Sequence, residues 1–373
     1  MKRYFVPVTQ CTEYKTKTKF NQNFFYLILV TLFLSVIVTL AGIGVKAIKD
    51  VKIAINNSIA QKNKNIVSSE KVSMPVLFPE TTVPNSVQPV IAPSAPTENT
   101  IQKKESFSFA VIGDSQSFET APISGNLQKA VNSISLQNPD LVFAVGDLIA
   151  DCEDKKSCQK SFDNWKKIAN PVLAKTYTVV GNHDHSKNEF ADSIWQKTFT
   201  NHPNNGPAGF AKQTYSLNYQ NVHFVVLNSS KPKEHTVNLI QRDWLEKDLA
   251  RHKGMMTFVF YYEPAFSTRI KRSEGRSLEE DERQRDALWN IISRYRVKAV
   301  FNGHEHFFSR MQRDGIYQFI IGNTDAPQID APKPNLSEYF YQGNAYAIVT
   351  VAGQKVNLKL YTVDGGLVHS FDF

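Results

Sequence analysis

A layered α/β fold is what the sequence predicts for residues 105–373. Two observations predict it. Continuous apolar runs of strand length alternate with amphipathic stretches of helix length, the pattern of a sheet covered on both faces. Four of those runs also stop at a glycine followed by polar side chains, at the strand ends where α/β sheets place their ligands. In order, the strand candidates are 107–114 (FSFAVIGD), 140–147 (DLVFAVGD), 176–184 (TYTVVGNHD), 222–228 (VHFVVLN), 257–262 (TFVFYY) and 298–304 (KAVFNGH). The helix candidates lie near 125–137, 156–169, 237–252 and 281–295. After His306 the runs IYQFIIGN, AYAIVTVAG, KVNLKLYTV and LVHSFDF are strand-like only, and are expected to form a second, more antiparallel sheet.

The 104 residues before this unit read differently. Residues 1–23 are a short basic segment, 24–45 a transmembrane helix and 46–104 a linker rich in Pro, Ser and Thr. Phe24 to Val45 is a run of 22 residues without a charge. At about 1.5 Å per residue it spans roughly 33 Å, enough for a bilayer core of about 30 Å. A cleaved signal peptide fits less well, because no small-x-small site follows. Net charge is +8, and residues 1–65 hold ten bases against two acids. The remainder therefore has 33 of each and is neutral, which argues against a nucleic-acid-binding surface. Five bases precede the apolar run and five follow it closely, so charge does not set its orientation. Cys152 and Cys158 do: six positions apart, they are within reach of one disulfide, which needs an oxidising compartment. A single-pass membrane protein with an extracytoplasmic C-terminal domain is the expectation.

The polar turns are Gly113-Asp114-Ser115-Gln116, Gly146-Asp147, Gly181-Asn182-His183-Asp184 and Gly303-His304-Glu305-His306. Their glycines let the backbone turn sharply, so that the next side chain projects from the sheet edge. Two Asp, an Asn, a Gln and two His make an oxygen-rich set with imidazole and no thiolate. Such a set suits Mn, Fe, Zn or Ni at a reactive centre better than a structural zinc.

In this order, each after an apolar strand, GDSQ, GDLIAD, GNHD and GHEH resemble the motifs of the calcineurin-like metallophosphoesterases, and QRDWLEKDL (241–249) resembles a helix of that family. The resemblance covers roughly residues 107–310. It implies a β-sandwich flanked by helices and a dinuclear centre of two divalent or trivalent ions, a metal-activated hydroxide attacking phosphorus. Carried over by position, Asp114, Gln116 and His306 resemble ligands of the first metal. Asp147 resembles the bridging carboxylate, and Asn182 and His304 ligands of the second metal. His183 resembles the general acid, with Asp184 as its orienting neighbour.

Two positions depart from the pattern. Gln116 stands where the first motif has His, and Tyr262-Glu263-Pro264 stands where a His-His-Pro is expected. Tyr262 and Glu263 are thus alternative metal or substrate contacts. A phenolate suits ferric iron but is a poor ligand for Mg²⁺ or Mn²⁺, its ordinary pKa lying near about 10. The purple acid phosphatase variant, with Tyr three residues after the bridging Asp, is not matched, because that position is Ala150. His185, His202, His223, His235, His252 and His369 are expected to pack or lie at the surface. Two readings follow: a membrane-anchored hydrolase of phosphomonoesters or diesters, or a degenerate member of the fold that binds a partner without turnover.

Overall fold

The computed structural model describes residues 106–116, 125–150, 154–185, 190–232, 235–270, 277–327 and 332–373. The expected apolar span, the linker and Cys152 lie outside them. Among the described residues, no helix is long and apolar enough to cross a membrane.

Two sheets carry the fold. The first has the strand order β13-β12-β11-β1-β2-β3, with β1 Phe107–Ile112, β2 Leu141–Val145, β3 Thr176–Val179, β11 Ala345–Ala352, β12 Lys355–Thr362 and β13 Leu367–Asp372. The second runs β10-β8-β9-β7-β6-β5-β4, with β4 Tyr215–Tyr219, β5 Val222–Val226, β6 Met256–Phe260, β7 Ala299–Asn302, β8 Phe308–Arg313, β9 Ile316–Ile321 and β10 Tyr339–Tyr341. Strands β1, β2 and β3 pair in parallel, as do β5, β6, β7 and β9.

Side-chain alternation assigns each face. In β1, Phe107, Phe109 and Val111 enter the core between the sheets, while Ala110 and Ile112 enter a second core. That second core is built on α1 Asn126–Gln137, α2 Lys155–Leu173 and α4 Ala191–Thr198. On the other sheet, Phe258 and Phe260 face inward, and Val259 faces α5 Leu239–Arg251 and α6 Glu282–Arg294. The layers are therefore helix, sheet, sheet, helix, the expected sandwich. Aromatic rings fill its middle: Phe143 stacks on Phe260 at 4.1 Å, and Phe260 on Phe301 at 5.1 Å.

Helix α1 shows why local sequence suffices for such elements. Leu127, Ala130, Val131 and Ile134 recur at helical spacing and are all buried. Asn138, in a left-handed backbone, ends it. The C-terminal strands correct an expectation, for they form no separate sheet. β11 pairs antiparallel with β1 and extends the first sheet, while β9 joins β7 in the second. Each parallel core had an open edge, and the C-terminal strands cover both.

Candidate metal centre

All four polar turns lie at the carboxyl ends of parallel strands, three from the first sheet and one from the second. Asp114 follows β1, Asp147 follows β2, Asn182 and His183 open the short helix α3 Asn182–His185 after β3, and His304 and His306 follow β7. Asp114 and Asp147 are buried, and Asp114, Asp147 and His304 hold positive φ of 51, 46 and 72°. Their glycines are needed for space as well as for turning. A Cβ on Gly181 would overlap the Asp147 carboxylate, and one on Gly303 would press on Asp114 and on the Tyr262 ring.

The two carboxylates share one partner. The Tyr262 hydroxyl donates within 2.8 Å of Asp114 Oδ1 and also lies in hydrogen-bond contact with Asp147 Oδ2. The other carboxylate oxygens take backbone donors: Asp147 Oδ1 accepts from the His183 N–H at 3.1 Å, and Asp114 Oδ2 from the His304 N–H at 2.8 Å. Burial pushes the Asp147 carboxyl up to about 6, with Asp114 adding to the rise and His183 opposing it. Burial, then the two carboxylates, also push the Tyr262 phenol well above its ordinary value.

The donor set fits a cation. His306 Nδ1 sits 2.7 Å from the Pro327 carbonyl, an acceptor, so Nδ1 carries the proton. The Nε2 lone pair then faces Asp114 Oδ1 at 3.5 Å. A carbonyl on the far nitrogen is how metal-ligating imidazoles are oriented, and a cation between Nε2 and the carboxylate would suit both. Asn182 lies between Gly181 and His183, both of which border Asp147.

Other expected residues stand differently. Gln116 reaches the centre, but its amide nitrogen donates to Asp147 Oδ2 at 3.0 Å. Asp184 does not orient the His183 ring. Its carboxylate accepts from the backbone N–H groups of Leu148, Ile149 and Gly181, at 2.9, 3.2 and 2.9 Å, and so ties two site loops together. Glu263 turns to another loop, where Ser229 and Ser230 donate to its two oxygens. Alternation explains the exchange: Phe258, Phe260 and Tyr262 point one way, and position 263 the other. Cys158 is buried and disulfide-bonded.

Three features escaped the sequence reading. His235, given no role, lies with its ring 5.8 Å from that of His304 and with Nδ1 3.8 Å from Glu263. Its surrounding loop carries no pattern. Glu305, between the two histidines, is pushed up to about 7 by burial and anchors Ser267 and Thr268. The turn Gly322-Asn323-Thr324-Asp325 after β9 clamps the first motif: Asp325 and Ala326 donate to the Asp114 carbonyl, and Thr324 to that of Gly113. That turn carried the same signal as the others, a glycine and polar residues after an apolar run.

The family pattern of calcineurin-like phosphoesterases matches residues 107–308. The chain belongs to this family. It is similar to purple acid phosphatase 23 of Arabidopsis thaliana, 24% identical over 224 residues, which are 53% of this chain and 47% of that protein. The chain thus spans about half the length of such curated relatives. Among solved structures, purple acid phosphatase PPD1 of yellow lupin superposes with a TM-score of 0.57 at 18% identity, covering 72% of this chain and 53% of that one. GAP50, the anchor in the inner membrane complex of Plasmodium, gives 0.53 at 13% identity over 72% and 89%. These likenesses establish the fold, and the family is one of dinuclear metal centres.

Proposed function

We propose that this chain hydrolyses phosphoesters at a centre formed by Asp114, Asp147, Asn182, His304 and His306, and that residues 24–45 anchor it in a membrane with the domain on the extracytoplasmic side. One observation carries the catalytic reading: two buried carboxylates and an imidazole lone pair converge at the sheet edge with their counter-charge to be supplied. When bound, the metal ions supply that charge, neutralise phosphoryl oxygens and activate a water. Asp114 and Asp147 hold position through backbone donors and resist rearrangement as charge moves. His183 stands at the rim, with Nε2 3.8 Å from Asp147 Oδ2 and its side chain 35% exposed, placed to give a proton to the departing oxygen. The disulfide at Cys158 supports the extracytoplasmic placement.

The test is turnover of an aryl phosphate and of its bis-aryl diester by the full chain with Mn²⁺ or Fe³⁺ supplied. Asp147→Asn and His183→Ala are each expected to lower kcat at least ~100-fold with little change in Tm. Turnover equal to wild type in both variants would overturn the proposal, and the monoester-to-diester ratio assigns the substrate class. The Tyr262 contact favours a second reading, a fold that binds a partner without turnover; GAP50, which shares the fold, is an anchor in the inner membrane complex of Plasmodium. A folded, metal-replete sample that holds no metal would decide for it.

A further inference from the structure

One edge of each sheet meets the other at a cluster away from the metal centre. β10 is an edge strand of the second sheet and β13 an edge strand of the first. Tyr339 of β10 stacks on His369 of β13, with ring centroids 3.9 Å apart and planes 10° from parallel. Arg310 of β8, paired in register with Tyr339, holds its guanidinium 3.5 Å from the centre of the Phe371 ring. Its Nη1 stands 3.3 Å from His369 Nε2, and its Nε donates to Glu338 Oε2 at 3.0 Å. His369 and Phe371 lie two apart on β13, so a single face of that strand makes both contacts.

A guanidinium donates hydrogen bonds and accepts none, and it keeps its charge throughout the range in which proteins fold. His369 Nε2 is therefore the acceptor, and the ring is neutral with its proton on Nδ1. Burial, then Arg310, hold the ring below its ordinary readiness to take a second proton. The groups that face it are Arg310 from β8 and Tyr339 from β10, with Glu338 on the far side of the guanidinium and Leu360 beside it on β12. Glu338 offsets the Arg310 charge only in part, because its side chain is 43% exposed and screened by water. A protonated His369 would lose its bond and meet a like charge at 3.3 Å.

The cluster holds the end of the chain. β13 pairs with β12 alone, so its other side depends on these side-chain contacts. Its aromatic residues also cover the core between the sheets: Phe371 lies 5.2 Å from Tyr317, and Phe373 lies 5.1 Å from Phe319.

We infer that Arg310, Tyr339 and His369 form a proton-operated clasp, which fixes the C-terminal strand against the second sheet while His369 is neutral and releases it when the ring is protonated. The inference is independent of the metal-centre reading. The clasp is complete above the ordinary histidine value of 6.5 and weakens as pH falls below it, because the released strand binds the proton more readily.

The experiment follows backbone amide exchange of β13 and of β1 in the full chain from about pH 7.5 to about pH 5, corrected for the intrinsic pH dependence of exchange. In wild type, β13 is expected to lose protection relative to β1 by at least ~3-fold toward the acid end. His369→Gln offers Arg310 an amide oxygen that takes no proton, and is expected to keep β13 protected across the range. His369→Lys carries a fixed charge and is expected to leave β13 unprotected throughout. Nitrogen NMR of the wild-type imidazole reads the tautomer directly, so the inference stays testable if either variant does not fold. Protection of β13 that tracks β1 at every pH, a pH dependence unchanged in His369→Gln, or an Nε2 that carries the proton at neutral pH would each overturn it.

Discussion

Asp114, Asp147 and His304 hold left-handed backbone that non-glycine residues adopt at a cost of order 1–3 kcal/mol each. The cost is borne by the bonds around them, including the two N–H groups of the β9 turn on the Asp114 carbonyl. A buried histidine away from the centre shows the same dependence on surroundings and gives a prediction. His202 Nε2 accepts from the Thr178 N–H at 3.3 Å and its ring stacks on Phe199 at 5.0 Å. Burial lowers its pKa to about 3, from an ordinary value of 6.5. Protonation would cost the Thr178 bond, so the unfolded chain binds this proton more readily. Stability is therefore complete above pH 6.5 and declines as pH falls toward 3. The loss at pH 4 relative to pH 7 is about 3 kcal/mol. Denaturant melts of wild type and His202→Gln across that range are expected to converge toward acid, and parallel curves would rule the assignment out. Residue types at this scale were legible, but orientation was not. The side chains of Asp114, Asp147, His183 and His306 come together because each follows a glycine turn at a strand end. Tyr262 and Glu263 are adjacent on an extended chain, and only the face of β6 decides which one points inward.

Elements converge on the site through one residue expected to act elsewhere. Asp184 ties the loop after β2, which carries Asp147, to the loop after β3, which carries His183. An amide there keeps one oxygen for Leu148 and Ile149 but turns its NH₂ toward the Gly181 N–H, or the reverse. Asp184→Asn is expected to destabilise by about 1–3 kcal/mol and to lower kcat as well. His183→Ala lowers kcat alone. A Tm unchanged in Asp184→Asn would show that the loops are held by other contacts. A remote pin works similarly between β5 and α5. His223 bonds Asn218 and Asp248 through its two nitrogens and stacks on His252 at 3.8 Å and 15°. His223, Asp248 and His252 could be mistaken for a metal cluster, but parallel stacked rings do not converge on one ion. The elements that sequence made visible were those with a local period, such as α1. β4 and α4 were missed because each is short and half its residues face outward. The sheet membership of β9 and β11 is a non-local choice between two open edges, which no local pattern encodes.

The whole chain joins a neutral domain to a tail carrying all of the net charge of +8, and attachment by that charge differs physically from attachment by the proposed span. A basic tail alone adsorbs to anionic lipid with about 1 kcal/mol per residue near the surface, an attraction that fades within a Debye length of about 8 Å at physiological salt. A span of 22 uncharged residues is held by burial of apolar surface, which salt strengthens. The proposed anchor therefore predicts that the full chain stays with membranes through a wash at 1 M salt and leaves only with detergent. Release by salt would replace the span with adsorption. The linker, residues 46–104, holds no cysteine of its own. A cysteine introduced there by Ser94→Cys then reports the side. With the domain extracytoplasmic, a membrane-impermeant maleimide labels it on intact cells. Labelling that appears only after lysis would put the domain in the cytosol, where the disulfide at Cys158 would have no oxidising compartment to sustain it.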